Sequence, residues 1–108
     1  MRLYHNPKCS KSRQAFTIMQ NSGIAFEDYR YLESGIHPSD ISLLVELEGI
    51  IRTNDLEYDL QLDPTNKLQI QELLESNPKI LQRPILVNGD KAIIGRPVDK
   101  ILTLLPLA

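Results

Sequence analysis

The chain has 108 residues, 42% hydrophobic and 24% charged, with a formal net charge of −2 at pH 7. That length supports one domain with one core, and the slight acidic balance argues against nucleic acid or an anionic membrane as the bulk partner, since both are bound through excess Lys and Arg. No run of about 18 apolar residues exists to span a bilayer, and Met1–Asn6 reaches a polar turn without a signal-peptide apolar region, so a cytoplasmic location is expected.

In chain order, Arg2–His5 reads as a short strand stopped by the turn dipeptide Asn6-Pro7. Residues 10–22 read as a helix: Ala15, Ile18 and Met19 recur at helical spacing, Phe16 broadens the stripe, and Gly23 follows as a stop. Phe26–Leu32, bounded by Gly23 and Gly35, suits a strand. Such a β-α-β unit places its two strands parallel. A helix opened by Pro38 is expected to run toward Glu48, burying Ile41, Leu44 and Val45. A second, opened near Asp63-Pro64, carries Ile70, Leu73 and Leu74 on its apolar side. Ile85–Val87 and Lys91–Ile94 around Asn88-Gly89 mark a tight antiparallel hairpin. Pro97 opens a last helix carrying Ile101, Leu102, Leu104 and Leu105. The pattern predicts a single α/β domain over 1–108: a mixed four-stranded sheet built as β-α-β, a helical insertion over about 37–80, then β-β-α, with helices on its faces.

Cys9 is the only cysteine, which rules out an internal disulfide framework and any multi-cysteine metal site. A lone cysteine is more often an inert core residue than a catalyst. Here it lies between a strand and the start of a helix, where unpaired N–H groups favour a thiolate. His5, Lys8, Lys11 and Arg13 add cationic character, and such surroundings lower a cysteine pKa and make it nucleophilic. Ser12 is placed to offer a hydroxyl to the sulfur or to a bound oxyanion. His5 has two readings, a group that polarises the thiolate or a plain strand-end side chain. Lys8, Lys11 and Arg13 read as solvated charges. His5 and His37 with one cysteine form no credible metal set, so no metal is expected.

His5-Asn6-Pro7-Lys8-Cys9-Ser10-Lys11-Ser12-Arg13 resembles the active-site loop of the glutaredoxin-coupled arsenate reductase family, in its short arsenate reductase-like subgroup. Leu81-Gln82-Arg83-Pro84-Ile85 and Ile94-Gly95-Arg96-Pro97 are similar to two later signature segments. Arg52, Arg83 and Arg96 look like that family's three oxyanion-binding arginines. The resemblance runs from Leu3 to about Leu105, with the segments in the family's order. It implies a thioredoxin-like fold, a cis peptide bond at Arg83–Pro84 beside the cysteine, and reduction of arsenate through a Cys9–arsenate adduct. Guanidinium forks suit a tetrahedral oxyanion, and the N–H groups of Ser10, Lys11 and Ser12 add an anion-binding helix start. With one cysteine, an external thiol has to finish a two-electron reduction. The resemblance points to glutathione as co-substrate and then to glutaredoxin, with no bound cofactor.

Two other readings compete. A monothiol glutathione-linked oxidoreductase acting on protein disulfides would use Cys9 and Ser12 but would not need three oxyanion-binding arginines. A regulator like Spx, which binds RNA polymerase and shares the fold, would sense redox state through a Cys-x-x-Cys pair, whereas position 12 here is Ser.

Overall fold

The computed structural model describes residues 1–56 and 61–106. Four strands form one sheet in the order β2-β1-β3-β4: β1 Arg2–Tyr4, β2 Glu27–Tyr29, β3 Ile85–Asn88 and β4 Lys91–Ile94. β1 runs parallel to β2 and antiparallel to β3, and β3 is antiparallel to β4. This is the mixed four-stranded sheet that the pattern predicts, in the thioredoxin-like fold that the resemblance implies.

Both faces of the sheet are covered, so neighbouring residues on one strand serve different cores. Leu3 and Leu86 pack with Ala15 and Met19 of α1 (Ser10–Ser22) and with Val98 and Ile101 of a C-terminal 3-10 helix, Val98–Leu104. Tyr4, Ile85 and Val87 face the other way. There they meet Tyr31 of α2 (Tyr31–Ser34), Leu44 of α3 (Ile41–Leu44), and Ile70 and Leu74 of α4 (Lys67–Ser76). Leu3, Tyr4, Ile85 and Leu86 are completely buried.

Helix α1 spans the predicted 10–22, and Gly23 closes it in the left-handed conformation (φ 71°), its N–H donating to the Gln20 carbonyl. The hairpin also forms, with its tip displaced by one residue. Asn88 still pairs with Lys91, so the two turn residues are Gly89, at φ 62°, and Asp90. The Asn88 side chain leaves the turn and donates to the Leu104 carbonyl at 3.0 Å, tying the hairpin to the C-terminal helix.

Three expected elements are shorter than their sequence signals. The strand expected over Phe26–Leu32 pairs only over Glu27–Tyr29, because Tyr31 turns inward as the first residue of α2 and leaves Leu32 exposed. The helix expected from Pro38 to Glu48 is regular only over Ile41–Leu44. Asp40 stands at its start but does not cap it: its carboxylate accepts from Arg2 Nη1 at 2.8 Å and from the Tyr4 hydroxyl at 2.6 Å. The helix expected from Asp63-Pro64 begins at Lys67. Asn66 caps it by accepting the Gln69 N–H, while Asp63 turns its carboxylate onto Thr65. In the last helix Ile101 is buried but Leu102 is exposed, since 3-10 geometry advances three residues per turn and places Val98 and Ile101 on one line. Residues 57–60 of the expected helical insertion lie outside the described residues.

Candidate active site

Register gathers the candidate residues at one end of the sheet. Tyr4 pairs with Ile85, and Ile85 pairs with Ile94. The loop leaving β1, the segment entering β3 and the segment leaving β4 therefore meet, bringing Cys9, Arg83-Pro84 and Gly95-Arg96 together. The Arg83–Pro84 bond is cis, as the resemblance implies, and Arg96–Pro97 is cis as well. Gly95 lies directly against this junction. Its N–H donates to the Pro84 carbonyl at 2.8 Å, and a Cβ there would stand 2.9 Å from Pro84 Cγ and 3.0 Å from Ile101 Cγ2.

Arg52 arrives from the other core. Ile51 and Leu81 form an isolated antiparallel bridge, the Arg52 N–H donates to the Ile80 carbonyl at 2.7 Å, and the Gln82 N–H donates to the Ile50 carbonyl at 2.7 Å. This short pairing aligns Arg52 with Arg83. One oxygen of Asp55, on the 3-10 turn Thr53–Asp55, lies 3.7 Å from Arg52 Nε and 3.5 Å from Arg83 Nη1. Arg96 Nε donates to the Arg83 carbonyl at 3.0 Å, so it is held to the Arg83 backbone.

Cys9 occupies the N-cap position of α1 with extended backbone (φ −95°, ψ 123°), and its carbonyl accepts the Arg13 N–H at 3.0 Å. Burial pushes the thiol up. The N–H of Ser12, the Arg83 guanidinium and the N–H of Lys11 outweigh that effect, so the thiol ends below its ordinary value. No capping hydrogen bond to the side chain is formed. These donors therefore act as a positive field ready to close on a thiolate, and Arg83 is the one side chain among them.

The Ser12 hydroxyl, expected to be free for the sulfur or an oxyanion, pairs instead with His5 at the end of β1. Both are buried, and His5 Nδ1 lies 2.6 Å from Ser12 Oγ, which also accepts the Asn6 N–H at 2.9 Å. Burial holds His5 below its ordinary pKa, with Asp28 opposing and Arg30 and Arg13 assisting. A neutral ring accepts the serine proton at Nδ1, so the Ser12 hydroxyl is committed beneath the loop and only its backbone N–H serves the sulfur. The His5 ring stacks on Phe16 with centroids 5.0 Å apart. It shapes the loop through Ser12. Arg13 Nη1 also pins the loop, donating to the Pro7 carbonyl at 3.0 Å.

Asp55 is a residue that sequence reading missed. Its one detectable signal is the i,i+3 spacing from Arg52, which is uninformative until Arg83 is known to lie on its other side. An apolar cavity of about 310 Å³ between Val45–Ile51 and Ile70 holds none of the candidate residues.

The model of the ArsC family matches residues 4–104. A protein called arsenate reductase in Neisseria meningitidis serogroup A is 36% identical over 114 residues, covering 94% of each chain. One of the same name in Haemophilus influenzae is 34% identical, covering 95% of this chain and 97% of its own. A solved structure called arsenate reductase from Vibrio cholerae superposes with a TM-score of 0.80 at 31% identity, covering 97% of this chain and 98% of that one.

Proposed function

Because this chain belongs to the ArsC family, we propose that it is an arsenate reductase whose nucleophile is Cys9 and whose oxyanion ligands are Arg52, Arg83 and Arg96. The observation that carries this reading is the convergence of Arg83 and Arg52 on one Asp55 oxygen, with Arg83 the side chain that lowers the Cys9 thiol at a helix start.

Arsenate carries about two negative charges near neutral pH, so its approach to a thiolate is repulsive without nearby cations. Arg83 serves both partners: it lowers the thiol pKa and offers N–H donors to the incoming oxyanion. Arg52, next to the Ile51–Leu81 bridge, and Arg96, just after β4, would supply the remaining donors. The thiolate forms a bond to arsenic, and one oxygen leaves as water. The full reduction takes two electrons from two thiols and yields arsenite, water and a disulfide. Cys9 supplies one sulfur, and glutathione followed by glutaredoxin supplies the rest without a bound cofactor. No helix among the described residues is long and apolar enough to cross a membrane. A reaction drawing on reduced glutathione belongs in the cytoplasm.

The test is arsenate-dependent NADPH consumption with glutathione, glutathione reductase and glutaredoxin, comparing wild type with Cys9→Ser. The expected result is turnover that needs every component and vanishes with the sulfur. An inactive wild type whose thiol still alkylates rapidly at neutral pH would shift the reading to a monothiol disulfide oxidoreductase.

A further inference from the structure

Arg83 carries more hydrogen-bonding capacity than its contacts within the protein use. Its side chain is only 13% exposed, yet its Nη1 contacts to Asp55, Lys79 and Leu81 lie at 3.4–3.5 Å. These exceed the usual range of about 2.7–3.2 Å for a well-made N–H···O bond. Its buried Nε has no partner among the described residues. Arg52 is held as loosely, 3.7 Å from the same Asp55 oxygen. Two guanidinium groups thus share one carboxylate oxygen without either gripping it.

We infer that Asp55 is the resting counterion of the oxyanion site, a specificity-determining residue that selects multiply charged anions over monoanions. The inference rests on the oxyanion-site reading given above. The three arginines and Asp55 sum to two positive charges, of which a Cys9 thiolate offsets one. A monoanion arriving there exchanges one single charge for another and gains little over the carboxylate already present. A tetrahedral dianion brings a second charge and enough oxygens to engage both guanidiniums, including the unpartnered Arg83 Nε–H. Loose contacts suit this role, because a tightly bonded carboxylate would block the arginines and a missing one would leave them open to ambient anions.

The experiment measures protection of Cys9 from iodoacetamide in the full chain by sulfate, an unreactive dianion, and by nitrate, a monoanion. In wild type, sulfate is expected to protect at far lower concentration than nitrate. In Asp55→Asn the half-protective nitrate concentration falls by about fivefold, the upper end for a partly exposed charge pair, and the gap between the anions narrows. Asp55→Glu restores the wild-type ratio, which a simple packing role would not predict. A sulfate-to-nitrate ratio unchanged in Asp55→Asn overturns the inference and leaves the oxyanion site standing. Weaker sulfate protection in that variant also overturns it, by making Asp55 a strut that orients the arginines. Absence of protection by sulfate and by arsenate in wild type instead removes the oxyanion-site reading, and this inference with it.

Discussion

His5 Nδ1 and Ser12 Oγ lie 2.6 Å apart in the interior, directly under the loop that carries Cys9. The contact joins the end of β1 to the first turn of α1, and the Asn6 N–H closes it from the loop side at 2.9 Å. Ser12→Ala removes the shared atom and leaves both partners without one. The expected cost is about 1–3 kcal/mol, the penalty for stranding buried polar groups, read as a lower urea midpoint. Cys9 alkylation should slow in the same variant as the loop loses its alignment. An unchanged midpoint would show that water replaces the hydroxyl freely.

The same histidine makes stability fall in acid. Burial depresses the His5 pKa below its ordinary value of 6.5, so the unfolded chain binds its proton first. The stabilisation is complete above about pH 6.5 and is lost as pH drops from there through the folded value. Denaturation midpoints of wild type measured across pH 5–8 should decline on the acid side, and His5→Gln should flatten that decline. A variant with an equally steep decline would assign the effect to other groups.

Cys9 is shifted in the same direction and with the same sign for stability, although its lowered value favours the charged form. Its folded pKa is depressed, so its contribution is complete above the unfolded thiol value and disappears as pH falls through the folded one. Alkylation rate against pH should show a midpoint below that of a free thiol. Arg83→Ala should raise this midpoint, because burial still opposes ionisation while a main opposing cation is gone. A midpoint that does not move would leave the backbone N–H groups of Ser12 and Lys11 as the whole cause.

Asp40 is 3% exposed and accepts from Arg2 and Tyr4 together. Asp40→Ala leaves the Tyr4 hydroxyl without its acceptor and Arg2 with Glu27 alone, and the expected loss is about 1–3 kcal/mol, the penalty for stranding a buried polar group. Asp40→Asn keeps one acceptor and should lose less. Urea unfolding of the two variants gives the comparison, and equal losses would mean that a neutral amide oxygen cannot stand in for the carboxylate.

Gly95 has no room for a methyl group, with Pro84 Cγ 2.9 Å from the position of an added Cβ. Gly95→Ala forces Pro84 and Ile101 apart, at about 1–3 kcal/mol for overpacking. Since Arg83 precedes Pro84 and Arg96 follows Gly95, oxyanion affinity should fall along with stability. Thermal unfolding together with sulfate protection of Cys9 checks both, and a destabilised variant with unaltered protection would uncouple this packing from the site.

Local chemistry made several parts of the molecule legible in the chain. Apolar spacing over Ala15, Ile18 and Met19 with Gly23 behind it defined α1, because periodicity and a left-handed stop act within a few residues. Asn88-Gly89 announced the hairpin for the same reason, although the Asn88 side chain found a partner in Leu104 and the turn moved to Gly89-Asp90. The placement of Cys9 between a strand and a helix start was equally visible.

Packing across the sheet settled the rest. Asp40 is a natural helix cap by composition, but Arg2, 38 positions earlier, took its carboxylate. Ser12 looked available to the sulfur until folding buried it against His5. Asp55 became significant when Arg83, 28 positions later, arrived on the same oxygen. Patterns of spacing and capping are short-range energies that a chain carries in its own order. Which charge meets which across the core depends on strand register, and register is decided by the burial of both faces of the sheet together.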